Sequence, residues 1–417
     1  MSPLVENIIW MIVLAGFAVC LGTVFLPADK SRKTYLKLIL TGMICRYILV
    51  FYMYKSGTEA SGTDGLIYHQ VAKHVAEQLK AGVPIWNVEY KYTWYTVLMG
   101  IQYAIFGVNR YAASFTNAFI AALSAYVLFR TAYGLRFGWK KSAVISMAYF
   151  FMPSMTVWTT DTRKESVTFF IIILIWYLFL RILQERDRRI SKSVVYMVLV
   201  CILLWISTLL RIYLMYTLGG GILVALFFYY LRTRRKISFV FGAMVIVTFI
   251  LVTYSTILVQ MNGYHALPLD RSKGGDENIS DEVDSILNII MSKDVAEAIN
   301  GFLTQPHLDK VSSISDISGN IFAIAAVVIE QILWYICLTV AIFGTINAIL
   351  ERDPYMLGLL AFIVAYSLIN ALISEDVGET YYRYRAAIVA PVLLIADYRP
   401  FLNSIKSLIK GRTGTVA

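Results

Sequence analysis

The sequence predicts an all-α polytopic membrane protein, and three observations lead there. Hydrophobic residues make up 58% of the 417 and charged residues only 15%. Mean hydropathy is +0.65, outside the range of soluble domains. Apolar runs of about twenty residues recur along the chain, the length a helix needs to cross roughly 30 Å of hydrocarbon. The alternating pattern of a membrane barrel does not occur.

Taken in order, these runs predict about eleven transmembrane helices, at 7–27, 34–53, 110–133, 142–156, 166–184, 193–211, 213–231, 237–259, 320–348, 355–373 and 385–398. The first lacks a basic leader and a small-residue cleavage site, so it is read as a retained helix. Residues 1–33 then form an additional N-terminal helix and 34–259 a membrane core with outside loops at 55–92 and 157–165. Residues 260–320 form a long outside segment, and 321–417 the last helices and a basic tail.

Orientation follows from charge. The net charge of +10 could suggest nucleic acid, but more than half of the 37 basic residues sit in short connections. Examples are Lys30 to Lys37, Arg136 to Lys141, Arg186 to Lys192 and Arg232 to Lys236. That distribution marks cytoplasmic loops, excludes a nucleic-acid partner, and puts the N-terminus outside and the C-terminus inside a bacterial-type inner membrane. Cys20, Cys45, Cys201 and Cys337 lie inside apolar runs at unrelated spacings, as core residues do.

Two outside regions carry surface elements. In LIYHQVAKHVAEQLKAG, Ile67, Val71, Val75 and Leu79 recur at i, i+4 spacing, with His69, Gln70, Lys73, His74, Glu77 and Lys80 on other faces. This predicts an amphipathic helix on the membrane. Trp94 to Phe106 is apolar but short, and is expected to be re-entrant or interfacial. In 260–320 the pattern predicts one helix, Val283 to Phe302.

With the cytoplasmic charges set aside, a short set of outer-face groups remains. Asp64 opens the amphipathic helix, and Lys91 precedes the short apolar stretch. Asp161, Arg163, Lys164 and Glu165 stand together in TTDTRKESVTFF. Arg211 and Tyr213 follow in LLRIYLMY, while SEDVGETYYRYRAA supplies Glu375, Asp376, Glu379, Arg383, Arg385 and interleaved Tyr381, Tyr382 and Tyr384. Any one of these can simply mark a water boundary. Jointly they come from several connections on one membrane face, so a helical bundle can gather them into one polar cavity. Arginines and lysines there would grip a phosphate or diphosphate and stabilise it as a leaving group. A carboxylate opposite would take a proton from an attacking hydroxyl, and tyrosines would meet a sugar or headgroup. Arg46 and Glu330 lie deeper in their helices, where charge is costly.

The order of motifs resembles the C-type superfamily of membrane glycosyltransferases, in the branch of protein O-mannosyltransferases and the lipid A aminoarabinose transferase. DGLIYHQVA, Asp64 to Ala72, is similar to the family's Asp, Tyr, Ala pattern. KYTWYTVLMGIQYAIFGVNRYAASFTNA carries the Phe-Gly and downstream Arg as Phe106, Gly107 and Arg110, with Tyr-Thr-Trp where Pro-Pro-Leu is frequent. PSMTVWTTDTRKES supplies Pro153, Trp158, Asp161 and Glu165, and RYRAAIVAPVLLIA the late Arg-Tyr-Arg and Pro.

The resemblance implies a transferase moving a sugar from a polyprenyl-linked donor to a glycan, lipid or protein acceptor, with membrane lipid around it. Asp64 is then the general base, and Lys91, Arg163, Lys164, Arg211, Arg383 and Arg385 hold the phosphate. Tyr68, His69, Asp161, Glu165, Tyr213 and Tyr382 orient groups or the acceptor. The resemblance fixes no cofactor; a divalent cation, held by Asp64, Asp161 or Glu165, is the open option. A repeat-unit polymerase, which the long outside segment favours, and a lipid-linked sugar flippase are the alternatives.

Overall fold

The computed structural model describes residues 3–56, 64–90, 93–184, 190–235, 237–261, 294–306, 321–373 and 378–396. All regular elements among them are helical. They are α1 (Pro3–Phe25), α2 (Arg32–Ser56), α3 (Asp64–Lys80), α4 (Tyr95–Phe106), α5 (Arg110–Gly134), α6 (Gly138–Phe151), α7 (Pro153–Trp158) and α8 (Glu165–Gln184). There follow α9 (Ile190–Leu210), α10 (Ile212–Thr233), α11 (Ile237–Met261), α12 (Val295–Thr304), α13 (Ile321–Glu351), α14 (Pro354–Ile373), α15 (Gly378–Arg385) and α16 (Val389–Ile395).

Nine described helices are long and apolar enough to cross a membrane: α1, α2, α5, α8 to α11, α13 and α14. The other two expected spans are interrupted. The run at 142–156 is split into α6 and α7, because Pro153 has no N–H to give and holds Met152 extended at φ −58°, ψ 130°. The run at 385–398 begins as α15, passes through a 3₁₀ turn at Ala386–Ile388 and resumes as α16.

Between helices the packing is close because small residues sit at the contacts. A Cβ on Gly221 of α10 would stand 2.7 Å from the Gly358 carbonyl of α14, and one on Gly358 would stand 2.6 Å from Ala225. Lipid supplies no hydrophobic drive between helices, so this approach of backbones, with its dispersion contacts, is what holds the pair. Helix α5 runs through the middle, burying Ala113, Ala118, Ala122, Ala125 and the polar Asn117. Around it α1, α2 and α6 form one apolar cluster, and α7 to α10 with α13, α14 and α16 another.

The surface pair is α3 and α4. At 1.5 Å per residue the twelve residues of α4 reach only about 18 Å, consistent with the interfacial expectation. Helix α3 buries Gly65, Tyr68, Ala72, Val75 and Ala76. That stripe is rotated from the Ile67, Val71, Leu79 face the spacing suggested; those three are half-buried. The reason is steric: α4 brings Gly100 against Val75, and Gly65 lies on Asp161, so the small residues face inward.

The additional first helix is tied to the core by polar contacts. Asn109 caps α5 by accepting from the Ala112 N–H at 3.1 Å, while its Nδ2 donates to Glu6 Oε1 at 3.0 Å and Asn7 Oδ1 at 2.9 Å. From the long outside segment, α12 is described, seated on α14 and α15 with Phe302 edge-on to Tyr381. Side chains of α13 satisfy its terminal carbonyls, Trp334 Nε1 donating to Leu303 at 2.8 Å and Gln331 to Thr304 at 2.6 Å. Residues 283–293 of the expected helix, with most of 260–320, lie outside the described residues.

Candidate active site

The loop from Thr159 to Lys164, between α7 and α8, is the buried floor of the site. Asp161, Arg163 and Glu165 are 0%, 2% and 0% exposed, which demands partners for each. Asp161 Oδ1 accepts from the Thr162 N–H at 2.6 Å and the Tyr54 hydroxyl at 3.1 Å, and pairs with Arg110 Nη2 at 3.4 Å. Asn117 of α5 donates to the Asp161 carbonyl and, at 3.0 Å, to that of Arg163, while its own Oδ1 accepts from Ser166 at 2.8 Å. A chain segment with no regular structure thus has its backbone groups matched by side chains.

A second cluster adjoins the first. Arg383 of α15 places Nη1 2.7 Å from Asp64 Oδ2, and Nε and Nη2 at 2.7 and 2.6 Å from Glu165 Oε1. Arg211 Nη2 approaches the same Oε1 at 3.2 Å and its Nη1 donates to Tyr213 at 2.9 Å; Tyr213 in turn donates to Asn370 at 2.9 Å. Burial works against the charge of Arg383, but the carboxylates of Glu165 and Asp64 outweigh it and hold its pKa above the usual value. Asp64 is the open end of the chain of charges, its side chain 42% exposed against 1% for Glu165.

Trp158, at the end of α7, has two guanidiniums near its ring. Arg163 lies 5.2 Å and Arg383 6.0 Å from its ring centroid. Arg163 has the poorer compensation. Its nearest carboxylate oxygen is Asp161 Oδ2 at 3.9 Å, and its buried Nε has no hydrogen-bond partner. Burial, with repulsion from Arg383 next, pulls its pKa down. Among the described residues three carboxylates (Asp64, Asp161, Glu165) face four guanidiniums (Arg110, Arg163, Arg211, Arg383) and the ammonium of Lys164, so positive charge is in excess beside an exposed acid.

Of the other expected residues, Tyr68 is buried within electrostatic reach of Glu165, Arg383 and Asp64, and burial raises its pKa, keeping the phenol neutral. Lys164 is half-buried and within reach of Glu165. His69 faces α4, where Nδ1 and the Tyr103 hydroxyl are 2.8 Å apart. Arg385 is not brought to the cluster, and Tyr382 meets it only through its ring, 6.1 Å from that of Trp158. Helical geometry turns them to the far side of α15 from Arg383: Arg385 donates to the Gln305 carbonyl at 2.6 Å and Gln331 Oε1 at 2.8 Å, and Tyr382 to Glu330 Oε2 at 2.6 Å. Lys91, Glu375 and Asp376 lie outside the described residues.

The acidic groups do not gather as ligands for a dication. Among the described residues no three His, Cys, Asp or Glu side chains group in that way. Asp64 and Glu165 converge on Arg383, and Asp161 on Arg110, so each carboxylate faces a guanidinium instead.

Residues that the sequence reading passed over or left without a role complete the site: Tyr54, Arg110, Asn117, Tyr366 and Asn370 are uncharged or sit at ordinary helix starts. Gly65 is the sharpest case. A Cβ there would run into the Asp161 carboxylate, and the Gly65 carbonyl accepts from Thr162 Oγ1 at 2.8 Å. Gly65→Ala gains about 0.5–1 kcal/mol of helix propensity but overpacks at about 1–3 kcal/mol. The clash wins, and the variant is expected to lose up to about 2 kcal/mol of stability; an unchanged thermal midpoint in detergent would show that the two elements need not touch.

No protein-family model matches the chain, and no curated protein matches its sequence. Among solved structures it is similar to ArnT from Cupriavidus metallidurans, in crystals bound to undecaprenyl phosphate and in the apo state. The TM-score is 0.53 in both cases, with 13% and 12% identity over 88% of this chain. The match covers 60% of ArnT, so the chain spans well under two thirds of that protein's length. The likeness is one of fold, the C-type glycosyltransferase fold that the order of motifs implied.

Proposed function

We propose that the chain is a membrane glycosyltransferase that moves a sugar from a polyprenyl phosphate or diphosphate to a hydroxyl acceptor on the outer face. The observation that carries this is the surplus positive charge around Trp158, set beside the exposed carboxylate of Asp64. An anionic leaving group needs the first and a nucleophilic hydroxyl needs the second.

In this reading the donor phosphate enters between Arg163 and Arg383. Arg163, whose Nε is unbonded, gains a partner. Arg383 turns one nitrogen from Asp64 to a phosphate oxygen while Glu165 keeps the rest of its fork in place. Asp64, relieved of its ion pair, accepts the acceptor's proton. The acceptor oxygen bonds to the anomeric carbon as the bond from that carbon to the phosphate oxygen breaks. The electron pair leaves on the phosphate, where the guanidiniums hold it, and the configuration inverts. Asp161, with its Oδ1 held by Arg110, Tyr54 and the Thr162 N–H, holds the floor and does not touch substrate. The basic connections support an orientation with this face away from the cytoplasm.

The test uses the full chain in lipid nanodiscs with polyprenyl-phosphate sugars carrying a labelled sugar. Release of free polyprenyl phosphate together with label on a hydroxyl acceptor is expected. In vesicles, passage of the intact lipid-linked sugar across the bilayer with no bond broken would overturn the transferase in favour of a transporter.

A further inference from the structure

Two charges within membrane-spanning helices, Arg46 of α2 and Glu330 of α13, stand outside the site and are 1% and 2% exposed. Charge at that depth is costly and calls for a reason. The break between α6 and α7 supplies it. In an uninterrupted helix the Ser154 N–H would bond the Phe150 carbonyl four residues back. Pro153 and the extended Met152 separate them, and each half has found a side-chain partner. The Ser154 N–H donates to Glu330 Oε2 at 2.5 Å, and the Phe150 carbonyl accepts from Arg46 Nη2 at 2.5 Å.

Both clamps also reach past the break. Arg46 Nε donates to Thr159 Oγ1 at 3.4 Å, its Nη1 to the Gly42 carbonyl at 3.3 Å, and its guanidinium lies 4.0 Å from the Phe150 ring centroid. Glu330 Oε2 accepts from the Tyr382 hydroxyl at 2.6 Å, next in sequence to Arg383. The ring of Tyr382 meets Trp158 edge-on at 6.1 Å.

We infer that Arg46 and Glu330 are positioning residues for sugar transfer. They lock the broken helix at the angle that delivers Trp158 and the 159–163 floor, and Glu330, through Tyr382, sets Arg383 between Asp64 and Glu165. The inference rests on the transferase reading above.

The experiment compares Glu330→Gln, Glu330→Leu, Tyr382→Phe and Glu330→Leu/Tyr382→Phe as full chains in nanodiscs. Leucine accepts no hydrogen bond, so Glu330→Leu is expected to lower kcat by about 10²-fold with KM for the lipid-linked sugar within about threefold. The amide oxygen of Glu330→Gln can still accept from the Ser154 N–H, so this variant should stay within about threefold of wild type. The double variant should be no slower than Glu330→Leu, as for residues acting in series. Wild-type kcat in Glu330→Leu, or equal damage in Gln and Leu, would overturn the assignment. If Glu330→Leu does not fold, Tyr382→Phe, which loses one hydroxyl, carries the test with an expected fall of about three- to tenfold; an unchanged kcat would then decide against it. If wild type itself transfers no sugar, the transferase reading fails. The clamp is then read by hydrogen exchange over 152–165, which Glu330→Leu should speed and Glu330→Gln should leave slow. Identical exchange in all three proteins overturns the clamp.

Discussion

Asp64→Asn is expected to abolish sugar transfer while leaving the protein folded and its affinity for a phosphate lipid intact. The carboxylate is 42% exposed and holds Arg383 from one side only, so its ion pair is worth about 0–1 kcal/mol to stability. In the proposed mechanism Asp64 is the general base, and loss of such a group costs far more, about 10²–10⁴-fold in rate. Asparagine keeps the size and one acceptor oxygen for Arg383 but cannot take a proton. Removing a negative charge beside the phosphate should, if anything, tighten binding of undecaprenyl phosphate. Turnover and nanodisc binding, measured on the same preparation, check both halves. Full turnover by Asp64→Asn would remove Asp64 from the chemistry, and lost binding with it would make the residue a support for Arg383 instead.

Arg383→Met is expected to damage stability and activity together. Glu165 Oε1 is held by Arg383 at 2.6 and 2.7 Å and by Arg211 at 3.2 Å, and its buried Oε2 has no hydrogen-bond partner. Removing the stronger cation leaves a carboxylate that is 1% exposed without its main compensation, at a cost of about 3–5 kcal/mol. Lysine is not a substitute: one ammonium cannot span Asp64 and Glu165 at once as the planar fork does. Arg383→Lys should therefore also lose transfer, with a smaller loss of stability. The double variant Glu165→Gln/Arg383→Met should regain only part of the thermal stability in detergent and none of the transfer, because the buried carboxylate charge is gone but Arg211 has lost its ion pair and the phosphate has lost Arg383. Wild-type rates in Arg383→Lys would show that a point charge at this position is enough.

Much of the site was legible in sequence because charge is scarce here. In TTDTRKESVTFF an Asp, an Arg and a Glu in five positions had to be explained, and all three prove buried. Arg211 and Arg383 were found by the same reasoning. Sequence did not tell that Arg385 and Tyr382, which share a short helix with Arg383, hydrogen-bond toward α12 and α13 instead; the azimuth of α15 depends on what packs against it. Nothing in the sequence marked Tyr54, Asn117 or Gly65, since a single uncharged tyrosine, asparagine or glycine within a helix is ordinary. The break at Pro153 was readable as a helix boundary, yet the run around it passed for a continuous span.

The sequence by itself determined the class of protein, the approximate helices and the set of charges needing a partner. Each rests on a rule that acts on one segment at a time: the bilayer demands a certain length and hydropathy, and taxes any charge placed within it. Only the tertiary structure decided who meets whom. Asp64 finds Arg383, Arg46 finds Phe150, and Ser154 finds Glu330. These partners stand far apart along the chain, and a helix turns a side chain by about 100° per residue. A small rotation in the bundle would pair them differently, so the packing of glycines, alanines and aromatics chose the partners of the charges.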